Sequence, residues 1–260
     1  MIKLLCLGDV VGEEGVSFLE AGGRLRKLKQ KYGADLVIVN GENSAKGNGM
    51  SVESAGRLYD AGADIITGGN HTFRRREIYN MLDDEKYLVR PANYPPEAPG
   101  MGYVITEVGM SRVLVMNVMG VVYLDPMTPP ADVVAKILEG EKGNYVVAVC
   151  DIHAEATSEK MFLARYFDGR LSVVFGTHTH VATADAQVLP GGTGYITDLG
   201  MCGSMNGILG VKTESIVHKF TVKTPNVFEA ASGNCMINGA YFEIDEKSGK
   251  CVSAERVECR

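Results

Sequence analysis

Short runs of apolar, often β-branched residues recur along this 260-residue chain, and most of them are followed by a segment that can form a helix. The runs cover residues 2–7, 36–39, 65–67, 113–118, 145–150 and 171–175, and the helical segments cover 13–31, 52–61, 74–82, 129–139 and 155–167. Runs that are apolar at nearly every position are typical of strands buried on both faces of a sheet. The alternation of strand and helix therefore predicts an α/β fold.

The chain changes character after Gly192. Residues 195–199, 215–222, 240–244 and 251–257 resemble strands, with a turn at 246–249, so we predict a mostly β C-terminal quarter. Residues 90–101 contain four prolines and are predicted to form only a loop or a small cap. A chain of this length can bury one large core, and we expect a single domain over residues 1–260 with a small cap or loop insertion around residues 72–101.

The charge and cysteine content argue against several classes of protein. A net charge of −6 disfavours an extended nucleic-acid groove, which needs clustered Lys and Arg, but allows a small phosphorylated substrate. The six cysteines form no C-x-x-C pair, and we expect a reducing, cytoplasmic location. We expect no signal peptide and no membrane partner, because no charged leader precedes an apolar core and no apolar run has the length of a membrane span. Whether the chain forms a homo-oligomer through its β-rich end stays an open question.

Nearly every predicted strand ends in residues that can bind a metal ion. The residues are Asp9 after the first strand, Glu42 and Asn43 after the second, Asn70 and His71 after the third, Asp151 and His153 after the fifth, and His178 and His180 after the sixth. In α/β sheets, functional groups gather outside the carboxyl ends of the strands. We therefore expect these side chains to converge at one edge of the fold.

The types of ligand indicate the kind of metal centre. Carboxylate, amide and imidazole groups together suit divalent Mn, Fe or Zn, whereas a structural zinc site would more often use thiolates. Because His178 and His180 are separated by one residue, both point to the same side of an extended segment. Seven of these residues are counted as candidate ligands: Asp9, Glu42, Asn43, Asn70, His153, His178 and His180. Seven ligands are too many for one open catalytic ion and suit two ions that share a bridging carboxylate. We expect two divalent ions, Fe or Mn before Zn or Mg.

The chain contains six longer motifs: Gly8-Asp9-Val10-Val11-Gly12, Asn40-Gly41-Glu42-Asn43, Gly69-Asn70-His71-Thr72, Pro91-Ala92-Asn93-Tyr94-Pro95, His153-Ala154-Glu155-Ala156-Thr157-Ser158-Glu159-Lys160 and Gly176-Thr177-His178-Thr179-His180-Val181. With these motifs the chain resembles the YmdB-like branch of the calcineurin-like metallophosphoesterases, a branch of bacterial cyclic-nucleotide phosphodiesterases. Two positions depart from the wider superfamily but resemble this branch: Val11 replaces the usual His, and Glu42 replaces the usual Asp.

The resemblance implies a fold and a division of the ligands. The implied fold is a sandwich of mixed β-sheets flanked by helices, with the active site at the carboxyl ends of the strands. The implied ligands are Asp9, Asn43 and His180 for the first ion, Asn70, His153 and His178 for the second, and Glu42 as the bridge.

These positions imply a mechanism and a substrate class. A hydroxide bridging the two ions would attack phosphorus, and His71, the neighbour of a ligand, would act as general acid. The implied function is a phosphodiesterase of small phosphodiesters or nucleotides, with 2′,3′- or 3′,5′-cyclic nucleotides as the leading class. A phosphomonoesterase with the same site and a metal-binding regulatory protein with little turnover stay as alternatives.

Several other residues have simpler interpretations. We interpret His218 as a hydrogen-bonded residue outside the site, and Asp151 as either a ligand or a carboxylate that orients a neighbouring imidazole. The run Arg74-Arg75-Arg76 is either a phosphate clamp or, more often, the solvated face of a helix. Cys202 follows Gly200-Met201, but nothing in the sequence indicates that it is reactive.

Overall fold

The computed structural model describes residues 1–260. Numbered in chain order, the strands are β1 Ile2–Leu7, β2 Asp9–Val10, β3 Leu36–Asn40, β4 Ile65–Thr67, β5 Leu88–Val89, β6 Tyr103–Val108, β7 Ser111–Met119, β8 Val147–His153, β9 Val173–Thr177, β10 Gln187–Val188, β11 Gly194–Ile196, β12 Met201–Ser204, β13 Cys235–Ile244 and β14 Cys251–Cys259. The helices are α1 Gly12–Glu20, α2 Arg24–Tyr32, α3 Val52–Ala61, α4 Ile78–Asp84, α5 Pro130–Gly140, α6 Thr157–Tyr166 and α7 Thr213–Thr221. Short 3₁₀ turns lie at Ala21–Gly23 and Thr72–Arg74.

The strands form two sheets. The first has eight strands in the order β2-β12-β13-β1-β3-β4-β5, with β14 paired to β13, and the second has six in the order β10-β11-β9-β8-β7-β6. Strands β1, β3, β4 and β5 are parallel in the first sheet, as are β7, β8, β9 and β11 in the second. Because the central strands are parallel, their carboxyl ends lie along one edge of each sheet.

Alternation of side chains explains why the central strands are apolar throughout. In β1, Leu5 belongs to the core that the first sheet shares with α1–α4, whereas Leu4 belongs to the core between the two sheets. In β8, Val149 faces the core between the sheets, and Cys150 faces the core beneath α5 and α6. Successive side chains of a strand point to opposite faces, so both faces are buried. The layers are helix, sheet, sheet and helix, which confirms the predicted α/β sandwich flanked by helices.

One predicted strand is wrong, because residues 215–222 lie largely in helix α7, Thr213–Thr221. The β-branched pair Ile216-Val217 favoured a strand, but strand propensity depends strongly on whether a sheet is there to pair with. The chain leaves the first sheet after β12 and rejoins it at β13, and no residue of α7 is buried. Without a neighbouring strand, a helix satisfies the backbone hydrogen bonds locally.

The predicted single helix over residues 13–31 is also wrong. Helices α1 and α2 are separated at Ala21–Gly23, where Gly22 and Gly23 have φ values of 61° and 66°. This left-handed conformation suits glycine and interrupts the helix. Strand β6 was not predicted, and it lies at an edge of the second sheet with most of its residues only partly buried.

Residues 72–101 contain a 3₁₀ turn, helix α4, strand β5 and the proline-containing loop. The division into one domain with an insertion in this region stays a prediction. None of the helices has the length and apolar character needed to cross a bilayer.

Candidate metal centre

The seven predicted ligands and His71 lie together at the carboxyl ends of the parallel strands. Contacts between their side chains or backbones connect all eight residues. They are Asp9 in β2, Glu42 and Asn43 after β3, Asn70 and His71 after β4, His153 at the end of β8, and His178 and His180 after β9. Their individual roles as ligands or catalyst stay predictions. The geometry shows what this group of side chains can hold.

Asp9, Asn43 and His180 form one half of the cluster. Nε2 of His180 lies 3.6 Å from Oδ1 of Asp9 and 3.3 Å from the side-chain nitrogen of Asn43. Nδ1 of His180 lies 3.1 Å from the carbonyl of Leu209, so this nitrogen carries the proton and leaves the lone pair on Nε2. Oδ1 of Asp9 is buried and has no hydrogen-bond donor. A buried carboxylate oxygen without a partner beside an imidazole lone pair is suited to a cation.

Asn70, His153 and His178 form the other half. Nε2 of His153 lies 2.9 Å from Oδ1 of Asn70 and 3.0 Å from Nδ1 of His178. The second nitrogen of each imidazole faces an acceptor: Nδ1 of His153 lies 2.9 Å from the hydroxyl of Thr177, and Nε2 of His178 lies 3.1 Å from a carboxylate oxygen of Glu155. If those nitrogens carry the protons, two lone pairs face each other, and a proton or a metal ion must lie between them.

Glu42 contacts both halves. Its Oε1 lies 3.4 Å from Nε2 of His153 and accepts a hydrogen bond of 2.7 Å from the side-chain nitrogen of Asn43. Ligand atoms of Glu42, His153 and His178 all lie within 4.8 Å of one another, a spacing that one metal ion can bridge. Glu42 is 1% exposed, so its charge needs a partner inside the protein.

The electrostatics of the cluster favour positive charge at its centre. Burial alone would raise the pKa of Asp9 and of Glu42, but the neighbouring imidazoles outweigh it and hold both pKa values below their ordinary range. Burial disfavours the charged form of His153, yet Glu42 and Asp9 raise its pKa to about 9. Burial and the neighbouring charge of His153 lower the pKa of His178 to about 4, which keeps this imidazole neutral and able to donate a lone pair. The donor set therefore fits a divalent metal centre.

Asp151 orients His153 through an intermediate residue. The hydroxyl of Thr177 accepts from Nδ1 of His153 and donates to Oδ1 of Asp151 over 2.7 Å. Asp151 also accepts hydrogen bonds from Thr67 and Asn40. This chain of hydrogen bonds fixes the tautomer that leaves Nε2 of His153 free for a ligand.

A buried ion pair holds the loop that carries His178 and His180. Both histidines have positive φ values, 99° and 63°, which are uncommon for residues other than glycine, so the prediction of an extended segment is wrong here. Between them, Thr179 donates from its backbone nitrogen and its hydroxyl to Oδ2 of Asp198, over 3.1 and 2.8 Å. The ammonium group of Lys160 donates to the same oxygen. The loop conformation is thus maintained by contacts from outside it.

Sequence reasoning missed the roles of three residues on or next to helix α6. Besides Lys160, the carboxylate of Glu155 contacts His178, and that of Glu159 accepts from the backbone nitrogens of Val121 and Val122. All three lie within the motif that follows His153. A solvent-exposed helix surface would have the same charged residues, so the sequence offered no sign that these side chains make contacts within the fold.

Asn43 and His71 contact each other at the mouth of the cluster. Nδ1 of His71 lies 2.9 Å from the side-chain oxygen of Asn43 and 3.2 Å from Oε1 of Glu42. In this orientation the nitrogen of the Asn43 amide faces the cluster, and rotation of the amide by half a turn would present its oxygen instead. The His71 side chain is 29% exposed, and its Nε2 makes no hydrogen bond within the chain.

The remaining candidates lie outside the cluster. Arg75 donates to the backbone carbonyls of Lys46 and Asn48, so it fixes a loop, and its neighbours in the arginine run are exposed. Cys202 is buried, and burial raises the pKa of its thiol to about 12. His218 lies outside the cluster, on helix α7, but its interpretation as a hydrogen-bonded residue is wrong, because its Nδ1 has no hydrogen-bond partner.

Comparison with known proteins identifies the family. The YmdB-like protein family matches residues 5–257. The chain belongs to this family. The YmdB-like chain is 42% identical over 259 residues to a 2′,3′-cyclic-nucleotide 2′-phosphodiesterase of Bacillus subtilis (strain 168), covering 98% of this chain and 96% of the relative. The resemblance seen in the motifs is therefore confirmed.

Solved structures confirm the fold. The YmdB-like chain superposes with a TM-score of 0.93 and 35% identity on a crystal structure described as a novel phosphatase of Mycoplasma pneumoniae, covering 99% of this chain and 93% of that one. A more distant match is the NAD nucleotidase of Haemophilus influenzae, with a TM-score of 0.59, 13% identity and coverage of 100% of this chain and 55% of that one. The second match concerns the fold alone, and the predicted calcineurin-like metallophosphoesterase fold is confirmed.

Proposed function

We propose that this YmdB-like chain is a two-metal phosphodiesterase that hydrolyses small phosphodiesters, with 2′,3′- or 3′,5′-cyclic nucleotides as the leading substrate class. That it is a hydrolase of phosphoester bonds follows from its family and from the activities for which the relatives are named. The number of ions, the mechanism and the substrate are the proposal.

The observation that carries the proposal is a pair of positions, one on either side of Glu42, where the surrounding atoms favour a bound cation. One is the unpartnered Oδ1 of Asp9 beside Nε2 of His180, and the other is the facing pair of nitrogens on His153 and His178. This arrangement supports a first ion held by Asp9, Asn43 and His180, a second held by Asn70, His153 and His178, and Glu42 as the bridge. The mixed oxygen and nitrogen ligands suit Mn, Fe and Zn alike, and we expect Fe or Mn before Zn or Mg.

The ions, when bound, would supply an activated water nucleophile and positive charge beside the phosphoryl oxygens. The chain's own contribution is to hold the ligands in fixed tautomers. Thr177 and Glu155 bind the outer nitrogens of His153 and His178, and Leu209 binds that of His180. The other nitrogen of each imidazole, which faces the centre of the cluster, then keeps a free lone pair.

His71 is suited to protonate the departing oxygen. Asn43 and Glu42 bind its Nδ1 and fix the ring, while the partly exposed Nε2 is the atom that could carry the transferred proton. A protonated imidazole can act as a general acid. The backbone nitrogen of His71 donates to Oε2 of Glu42 over 2.9 Å, which keeps the acid beside the bridging carboxylate.

The proposal is tested with purified protein reconstituted with Mn or Fe. We expect hydrolysis of bis-p-nitrophenyl phosphate and of cyclic nucleotides, and no hydrolysis after chelation. The proposal would be contradicted if metal-loaded protein hydrolysed none of these diesters.

A phosphomonoesterase is the second candidate, because one of the similar structures is described as a phosphatase. Rates on p-nitrophenyl phosphate and on the diester, measured with one preparation, separate the two functions. A regulatory protein with little turnover would bind metal stoichiometrically but show neither activity.

A further inference from the structure

A cavity of about 910 Å³ opens between residues 90–103 and helix α5. Binding sites for small molecules have volumes of about 300–1,000 Å³ and are lined mainly by apolar and aromatic side chains with a few polar groups. Tyr94, Tyr103, Met101 and Met127 line this cavity, and Lys136 contributes a charged group. Its size and lining are therefore those of a small-molecule site.

Tyr94 connects this cavity to the metal centre. Its ring lines the cavity and packs edge-on against Phe73, with the ring centroids 4.8 Å apart. Phe73 lies two residues after His71, in the turn that follows it directly. Burial, and then the carboxylates of Asp125 and Glu42, raise the pKa of Tyr94.

Asn93 makes a second connection. Its side chain donates to the carbonyl of Thr128, a residue that lines the cavity, over 3.2 Å and to that of Met119 over 2.8 Å, which ties the cavity wall to the end of β7. The residue after Met119, Gly120, donates its backbone N–H to the carbonyl of His153 over 3.0 Å. The cavity wall and a predicted ligand are thus held in a fixed relation by consecutive hydrogen bonds.

We propose that this cavity holds the nucleobase of a cyclic nucleotide whose phosphodiester lies at the metal centre, with the ring of Tyr94 as one contact surface. The inference rests on the proposed function and identifies its substrate-specificity site. Aromatic side chains stack on any base. Asp132 and Lys136, four residues apart on α5, offer an acceptor and donors for the polar edge of the base. We therefore expect nucleotides to be preferred over phosphodiesters that lack a base.

A fluorescence titration tests binding without turnover. The chain contains no tryptophan, so Tyr94→Trp introduces a single reporter at the cavity. Adenosine 3′-monophosphate should change its fluorescence saturably, and glycerol phosphate at the same concentrations should not. Tyr166→Trp, on α6 at a residue that is 58% exposed, is the matched control and should respond to neither. The inference would be overturned if the fluorescence of Tyr94→Trp did not change with the nucleotide, or changed equally with glycerol phosphate.

A kinetic comparison tests the role of the cavity in specificity. Val133→Phe adds a ring to the cavity wall and should raise the KM for 2′,3′-cyclic AMP about tenfold while changing the KM for glycerol 1,2-cyclic phosphate less than about twofold. Val146→Phe, before the first residue of β8 and far from His153 at its end, should change neither.

Each failure has a distinct meaning. Equal effects of Val133→Phe on both substrates would contradict the assignment of the cavity. Wild-type protein inactive on both substrates would contradict the proposed function instead, while the tryptophan titration would still decide whether the cavity binds a nucleotide. If Val133→Phe does not fold, the same titration decides alone.

Discussion

The ammonium group of Lys160 lies 2.7 Å from Oδ2 of Asp198, and both side chains are only 1% exposed. The same oxygen accepts two hydrogen bonds from Thr179, the residue between His178 and His180. One buried ion pair therefore links helix α6 to the loop that carries two of the predicted ligands.

Replacement of Lys160 by Met should destabilise the protein strongly. Removing one partner leaves the carboxylate of Asp198 buried and uncompensated, at an expected cost of about 3–5 kcal/mol in the free energy of unfolding. Urea denaturation measures this loss. Lys142→Met, at a side chain that is 77% exposed, should change stability by less than about 0.5 kcal/mol.

The double variant Lys160→Met/Asp198→Asn should be less destabilised than Lys160→Met, because it leaves no unpaired charge and keeps an acceptor for Thr179. The metal content of the two variants, measured by elemental analysis, should follow the same order, with less metal bound to Lys160→Met. A single variant as stable and as metal-rich as the wild type would show that the pair does not hold this loop.

Replacement of His71 by Ala should separate catalysis from metal binding. We expect the metal content to stay unchanged and turnover of a diester with a poor leaving group to fall by about 10²–10⁴-fold, the range for loss of a general acid. The loss should be smaller for a p-nitrophenyl diester, whose leaving group needs less protonation. His218→Ala, a histidine on the outlying helix α7, is the control and should keep full activity. Undiminished turnover in His71→Ala would remove His71 from the mechanism.

Chelation should lower the thermal stability of the protein as well as its activity. Without a cation, the buried carboxylates of Asp9 and Glu42 both lie against the ring of His153, and Oδ1 of Asp9 has no hydrogen-bond donor. Ligand binding at 100 times its dissociation constant stabilises the folded state by about 2.7 kcal/mol, which calorimetry detects as a raised Tm. Restored metal should restore the Tm of the wild type, and Glu42→Gln should show a smaller metal-dependent shift. An equal shift in both proteins would argue against Glu42 as a ligand.

Only one cysteine should react with iodoacetamide in the native state. Five of the six thiols are buried, and Cys259 is partly exposed at the end of β14. Burial also raises the pKa of Cys251 to about 11 and that of Cys202 to about 12, so both stay protonated thiols at neutral pH. Mass spectrometry after alkylation should find one adduct, at Cys259. Rapid modification of Cys202 would contradict its assignment as a structural residue.

The candidate site was accessible to sequence reasoning because its residues follow strands with simple patterns. A strand buried on both faces is recognisable over five or six residues, and the glycines and polar residues after it mark where it ends. Asp9, Glu42 and His178 could therefore be assigned to one edge of the fold before the order of the strands was known.

The errors occurred where the local pattern and the neighbouring structure disagree. Residues 215–222 have the composition of a strand, but no other strand lies beside them, and they form α7. Residues 13–31 have the spacing of a helix, but two consecutive glycines with positive φ divide it. Whether a segment has a pairing partner, or a helix must bend, depends on distant parts of the chain.

The sequence by itself determined the α/β class, the edge at which the ligands gather and the kinds of ligand atom present, because these depend on short-range periodicity and residue chemistry. Only the tertiary structure decided how those atoms face one another. Asp9 lacks a donor, Asp151 acts on His153 through Thr177, and Lys160 is buried against Asp198 because residues far apart in sequence meet between two packed sheets and their helices. Burial and pairing of this kind are properties of the assembled fold, and no single segment of the sequence encodes them.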